Sequence, residues 1–271
     1  MKFKIAKGRT AIMGILNVTP DSFYDGGRHS KKSNAVEHAL SMFSDGADIV
    51  DVGGESTRPG ARPITAKEEL SRVVPVIEKI LSKVEKHLSI DSYKPDVVEA
   101  ALSSGASMIN DVYGLRTPGM IDIAAEYDVP IVIMHMKGTP KTMQEKPTYK
   151  DVVSEIKEFF RERVSAALDG GVKNRNIILD PGIGFGKTLA HNVEILRRLP
   201  EFSKIGFPLM VGASRKRMIG ELLNLPPEER LEGSLAVGVY SILQGASILR
   251  VHDVRETVRA AKVADALARG I

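Results

Sequence analysis

Short apolar runs alternate with amphipathic helical patterns along the whole 271-residue chain, and few architectures can be built from that order. The runs fall at 12–16, 49–52, 88–90, 108–109, 131–134, 177–179, 209–211 and 248–251. The helical patterns fall between them, at 34–43, 66–83, 95–102, 120–127, 152–168, 189–199, 231–243 and 256–268. Thr65 with Glu68 reads as a capping box. Lys94-Pro95 and Thr117-Pro118 read as prolines in a first helical turn. Asp45-Gly46, Ser104-Gly105, Gly170-Gly171 and Gln244-Gly245 read as helix ends. Alternation permits a doubly wound open sheet as well as a closed barrel. Eight units at a length near the ~250 residues of a barrel predict the α/β class and a (β/α)8 TIM barrel. No linker or low-complexity stretch interrupts the chain, so residues 1–271 are expected to form a single domain.

Composition narrows the partners. Lys and Arg number 38 against 34 Asp and Glu, a net charge of +4, and aromatics make up 5%. With no basic run carrying interleaved aromatics, this reads as a solvated surface and not as a nucleic-acid face. There is no cysteine, which excludes disulfides, thiolate chemistry and cysteine-ligated zinc. The first residues, MKFKIAKGRTAIMG, lack the apolar core of a signal peptide. The most apolar stretch, 234–251, is broken by Ser241, Gln244 and Ser247 and reads as a helix followed by a strand. A cytoplasmic protein with no membrane partner is expected.

A polar residue follows each apolar run. Asn17 follows the first, Asp51 and Glu55 the second, and Asp91, Asn110 and His135 the next three. Asp180 follows the sixth, Ser214-Arg215-Lys216 the seventh, and Arg250 with His252 the eighth. In a barrel these side chains converge on the face where ligands bind. Charges that abut apolar runs are costly unless something pairs with them. The stretch 177–188, IILDPGIGFGKT, resembles a phosphate-binding P-loop but has Pro181 where the first glycine belongs. Asp180 is then its informative residue, and its glycines read as room for a flat ligand against the backbone. The loops at 18–33 and 53–64 are long for strand-to-helix connections and read as lids, the second handling an anion.

Taken in order, these stretches resemble the dihydropteroate synthase family of pterin-binding barrels. They are GILNVTPDSF at 14–23 with DGG at 25–27, DVGGESTRPG at 51–60, SIDSY at 89–93 and NDV at 110–112. MHMKGTP at 134–140, DPGIGFGKT at 180–188, SRK at 214–216 and RVHDV at 250–254 complete the set. The resemblance covers essentially the whole chain. Tyr24 and the pair Arg217-Met218 depart from the pattern on the aminobenzoate side.

The resemblance implies a folate-pathway transferase and sulfonamide target. It would join 6-hydroxymethyl-7,8-dihydropterin pyrophosphate to 4-aminobenzoate, giving 7,8-dihydropteroate and pyrophosphate. Lys216, Arg250 and Asp91 would be its catalytic residues. Asp180, Asn110 and Asp91 would read the pterin edge, with Lys216 on its carbonyl and N5. Arg250 would stack on the ring, and Met134 and Phe185 would supply apolar surface. Thr57, Arg58, Pro59 and Ser214 would serve aminobenzoate and the lid. Asn17, Arg250 and His252 would hold the pyrophosphate, with Mg2+ as cofactor and Asn17 its nearest ligand. A homodimer through the late helices is implied, and the apolar stretch 235–243 is compatible with it. Two rivals share the carboxylates. A methyltetrahydrofolate-dependent methyltransferase has no pyrophosphate to hold, and RVH, SRK and STRPG argue against it. A non-catalytic pterin-binding protein should have lost Asn17, Lys216 or Arg58, and all three are present.

Overall fold

The computed structural model describes residues 3–6, 8–19, 28–56, 62–140 and 142–270. Eight strands form one parallel sheet: β1 (Ala11–Asn17), β2 (Ile49–Gly53), β3 (His87–Asp91), β4 (Met108–Asp111), β5 (Ile131–Met134), β6 (Ile177–Asp180), β7 (Met210–Val211) and β8 (Ile248–Val251). Their order is β6-β5-β4-β3-β2-β1-β8-β7. A parallel bridge between Leu179 and Leu209 joins β6 to the residue before β7 and closes the sheet into a barrel. The eight expected strands and the closed architecture are therefore present.

Ten α-helices are described, two more than expected: α1 (Arg28–Ser44), α2 (Ala66–Leu81), α3 (Pro95–Ser103), α4 (Met120–Tyr127), α5 (Val152–Asp169), α6 (Leu189–Arg197), α7 (Pro200–Ser203), α8 (Arg217–Leu223), α9 (Leu231–Leu243) and α10 (Val254–Arg269). The additional ones are α7, which caps the end of α6, and α8, which follows Lys216 directly. α8 buries Met218 and Ile219 and stops at Asn224, whose φ of 55° lies in the left-handed region.

The helix-end glycines behave as expected, with φ of 104° at Gly46, 102° at Gly105, 90° at Gly171 and 99° at Gly245. Two start signals need correction. The Thr65 hydroxyl accepts from Glu68 N at 3.2 Å, but the Glu68 carboxylate pairs with Arg72, one turn on. An ion pair has replaced the return half of the capping box. The reciprocal box forms instead at Thr188 and His191. Pro118 lies outside α4, whose N-cap is Gly119 at φ 85°.

The side-chain period of two decides where the polar residues go. Val50 and Val52 of β2, Leu88 and Ile90 of β3, Ile109 of β4, Ile131 and Ile133 of β5, and Ile177 and Leu179 of β6 pack outward against the helices. The alternate residues point inward. Met13, Ile49, Met108, Val132, Ile178, Met210 and Ile248 form an apolar layer inside the barrel, with Phe3 beside it. Two residues further along the same strands come Asp51, Asn110, Met134, Asp180 and Arg250, and on β3 the inward series ends at Asp91. The barrel interior therefore changes from an apolar floor to a polar layer within one residue pair.

Candidate active site

The polar layer is organised around Arg250. Its Nε donates to Asp51 Oδ2 at 2.6 Å and its Nη2 to Asp91 Oδ2 at 2.6 Å. Asn110 Nδ2 donates to the same Asp51 oxygen at 2.8 Å. These bonds link β4, β2, β8 and β3 across the barrel mouth. Among the described residues, Asp51 Oδ1, Asp91 Oδ1, Asn110 Oδ1 and Ser89 Oγ are buried and have no hydrogen-bond partner. Buried polar atoms are normally satisfied, so this surplus of acceptors marks a place for a ligand rich in N–H donors.

Charge in this layer is finely set. Burial pushes the Asp91 carboxyl up to about 7, against the pull of Arg250. Burial also raises Asp180, opposed by Lys216 and by the Gly182 N–H. Lys216 falls to about 8 through burial, with Asp180 holding it up. For Arg250 burial works downward, but Asp51 and Asp91 more than offset it and keep the guanidinium charged.

The loop after β6 is a rigid platform. Asp180 Oδ1 accepts from Gly182 N at 2.7 Å. All five carbonyls from Gly182 to Gly186 have donors. Phe185 N reaches Gly182 O at 3.1 Å, Lys216 Nζ reaches Ile183 O at 2.5 Å, and Gln144 Nε2 reaches Gly184 O at 2.7 Å. Lys187 Nζ reaches Phe185 O at 2.9 Å, and Tyr149 OH reaches Gly186 O at 2.8 Å. The reading of these glycines as space for a ligand needs correction at Gly182 and Gly186. A Cβ on Gly182 would lie 2.0 Å from His135 O, and one on Gly186 would lie 2.4 Å from Lys137 O. Gly182 and Gly186 are glycine because the backbone leaving β5 occupies that space, whereas Gly184 meets only the Lys216 side chain, at 3.4 Å. The platform presents the Phe185 ring, with Lys216 Nζ 4.5 Å from its centroid. Met134, Val112, Met136 and Met143 pack in the same apolar cluster, flanked by Phe185. An apolar wall thus stands beside the polar layer.

Of the residues expected in the site, the structure gathers Asp91, Asn110, Met134, Asp180, Phe185, Lys216 and Arg250. Ser214 Oγ accepts from His252 N at 3.2 Å and lies 3.1 Å from His252 Nδ1, which ties the ends of β7 and β8 together. Asn17 ends β1 opposite Gly53. Thr57, Arg58 and Pro59 lie outside the described residues, as do parts of both long loops; the first loop is shorter than the expected 18–33, because α1 already begins at Arg28. Three strand-end residues do structural work instead. Glu55 accepts from Lys94 and from Tyr93 OH. Arg215 forks onto Asp253 at 2.8 and 2.6 Å. His135 is buried against Lys187 and held neutral, its pKa pushed down to about 2 by burial. Asp51 is the converse case: it stood in the strand-end series but not among the expected site residues. Its inward parity two positions after Ile49 was the available signal. Lys187, Gln144 and Tyr149 gave no such signal, because their roles depend on where distant loops pack.

Among the described residues, no group of three His, Cys, Asp or Glu side chains could hold a metal. A magnesium ion would fit here only with oxygens from a phosphorylated ligand completing its shell, with Asn17 offering one neutral oxygen.

Comparison with known proteins places these features in context. Residues 13–252 match the family model described as pterin binding enzyme. The dihydropteroate synthase of Escherichia coli K12 is 52% identical over 255 residues, covering 94% of this chain and 90% of that protein. The dihydropteroate synthase of Xanthomonas albilineans with 4-aminobenzoic acid superposes with a TM-score of 0.91 at 48% identity, covering 96% of this chain and 94% of the other. The same enzyme in complex with 7,8-dihydropteroate gives a TM-score of 0.88 at 45% identity over the same shares.

Proposed function

Since this chain belongs to the pterin-binding enzyme family, we infer that it catalyses the dihydropteroate synthase reaction. It condenses 6-hydroxymethyl-7,8-dihydropterin pyrophosphate with 4-aminobenzoate and releases 7,8-dihydropteroate and pyrophosphate. The observation that carries the reading is the set of buried, unpartnered acceptors beside an apolar wall. A dihydropterin supplies the matching donors on a planar ring. Asp180 accepts from the exocyclic amine and N3–H, and Asp91 from the far-ring N–H. Each charge-assisted bond contributes roughly 1.5–3 kcal/mol. Lys216 donates to the pterin carbonyl and N5, and the pterin stacks between Arg250 and the Met134–Phe185 wall.

The leaving group departs as an anion, and the pterin methylene bears the developing positive charge. No side-chain nucleophile is required; Arg250 and His252 stabilise the departing charge while the site positions the aromatic amine. Asn17 would offer an oxygen to a magnesium ion, which when bound would supply charge neutralisation of the pyrophosphate. Thr57, Arg58, Pro59 and Ser214 serve aminobenzoate and the two long loops act as lids on a single domain.

Two late-helix features support a homodimer. Tyr240 and Leu243 of α9 are exposed, as are Val263 and Leu267 of α10, which packs beside α9. Sedimentation velocity at micromolar concentration tests it, and a monomer there removes the proposal. No described helix is long and apolar enough to cross a membrane, and a cytoplasmic location accords with that. The activity test is pyrophosphate release from the pterin pyrophosphate that depends on aminobenzoate. Release that ignores aminobenzoate, or none at all, overturns the assignment.

A further inference from the structure

We propose that Asp51 is a specificity-determining positioning residue: it fixes the polarity of the Asn110 amide, so that the site accepts 2-amino pteridines and rejects their 2-oxo counterparts. The inference rests on the pterin reading above and deepens it.

An asparagine amide can rotate by half a turn and exchange its oxygen for its nitrogen, and only its partners decide which way it faces. Here the partner is a carboxylate. Asp51 is fully buried, and its Oδ2 accepts from Arg250 Nε at 2.6 Å and from Asn110 Nδ2 at 2.8 Å. A carboxylate only accepts, so it holds the NH2 end of Asn110 toward itself. The amide then presents outward its Oδ1, which is buried and has no protein partner, together with its second N–H. This acceptor and donor side by side match a ligand edge with a donor next to an acceptor. The 2-amino group and bare N1 of a pterin have that order. A pteridine-2,4-dione has a carbonyl at position 2 and a proton on N1, which reverses both. Against a fixed Asn110 it meets oxygen with oxygen and N–H with N–H.

Arg250 makes the arrangement hard to bypass. Its second edge is engaged by Asp91 at 2.6 Å, so it cannot rotate away and free Asp51 to adopt another position. Asp180 adds its own rejection of a 2-oxo group, and this contribution is independent of Asp51.

The test compares binding of 6-hydroxymethylpterin and its 2-oxo counterpart by calorimetry to the wild type, Asp51→Ala, Asn110→Ala and the double variant. An amide at position 51 would keep its oxygen where Arg250 Nε and Asn110 Nδ2 share it, whereas alanine removes the acceptor and frees Asn110 to turn. The preference for the 2-amino ligand is expected to fall about tenfold in Asp51→Ala, the scale of one hydrogen bond exchanged for a repulsion. It should fall similarly in Asn110→Ala, with no further change in the double variant. A merely structural role for Asp51 would weaken both ligands alike and leave the ratio unmoved. A ratio within twofold of wild type in Asp51→Ala or in Asn110→Ala overturns the proposal. Thermal unfolding checks that each variant is folded, and Asp51→Ser takes the place of Asp51→Ala if the latter is not. A wild type that binds neither ligand refutes the pterin reading itself, a distinguishable failure.

Discussion

Lys187 Nζ lies 3.0 Å from His135 Nδ1, with both side chains buried, and the same nitrogen also reaches His135 O at 3.2 Å and Phe185 O at 2.9 Å. One lysine thus fastens the glycine platform after β6 to the backbone leaving β5. In a true P-loop a lysine at this place would face phosphate; here it faces inward. Lys187→Met keeps the length and removes the donors, leaving two buried carbonyls unsatisfied. Stability should fall by about 2–4 kcal/mol, since each orphaned buried group costs roughly 1–3 kcal/mol. Urea unfolding measures it, and a loss under about 0.5 kcal/mol, the range of a neutral surface change, would show that the clamp contributes nothing.

Gly182→Ala tests the platform from its other side. The position has a φ of 68°, and a Cβ there would lie 2.0 Å from backbone. Left-handed backbone costs a non-glycine residue roughly 1–2 kcal/mol, and the clash adds to it. Gly206, at φ 98° with open space around it, should show only the backbone cost. Parallel denaturation of the two alanine variants should find Gly182→Ala the more damaging by at least about 2 kcal/mol; equal losses would contradict the packing described.

Asp180→Asn exchanges an acceptor pair for an amide that turns an NH2 toward a ligand donor. Pterin affinity should drop by about 2–4 kcal/mol, some 30- to 1000-fold. Less than a fivefold change in calorimetry would remove Asp180 from the role of pterin reader.

Pterin affinity should peak in a narrow pH window. Asp91 must be ionised for both its oxygens to accept, and its carboxyl is raised to about 7. Lys216 must be charged to donate fully, and its ammonium is lowered to about 8. Affinity therefore rises as pH climbs through about 7 and falls above about 8. Asp180 is raised by burial too and shares the acidic limb, so Asp91→Asn should weaken that limb and leave the alkaline limb in place, as calorimetry across the pH range measures. Stability shows a related trend: Asp91 binds its proton more tightly folded than unfolded, so its contribution is full below about 4 and is lost as pH rises through about 7.

Lys216→Arg and Lys216→Ala should both fail in turnover. The lysine reaches Ile183 O past the Phe185 ring, and a planar guanidinium does not fit that path. Near wild-type turnover in the arginine variant would count against placing Lys216 in the pterin pocket.

The alternation of apolar runs and helical patterns sufficed for the eight strands, because a buried parallel strand must be apolar on both faces wherever it occurs. It also carried the polar layer. A side-chain period of two puts Asp51 on the same face as Ile49, Asn110 with Met108, Asp180 with Ile178 and Arg250 with Ile248, whatever the strands pair with. The short α8 was less visible, since seven residues with two buried side chains leave little periodicity.

Tertiary structure decided which polar residues meet. Asp51 and Arg250 are separated by 199 positions yet share a 2.6 Å bond, and only the pairing of β1 with both β2 and β8 brings their strands together. Likewise nothing local distinguishes His135 or Lys187 from ligand-facing residues. Their fate was set by the close approach of two loops, where backbone from one fills the space that glycines of the other leave. Local patterns fix which face a side chain occupies, because φ and ψ are properties of each residue. Partner choice depends on distances across the fold, which no local pattern contains.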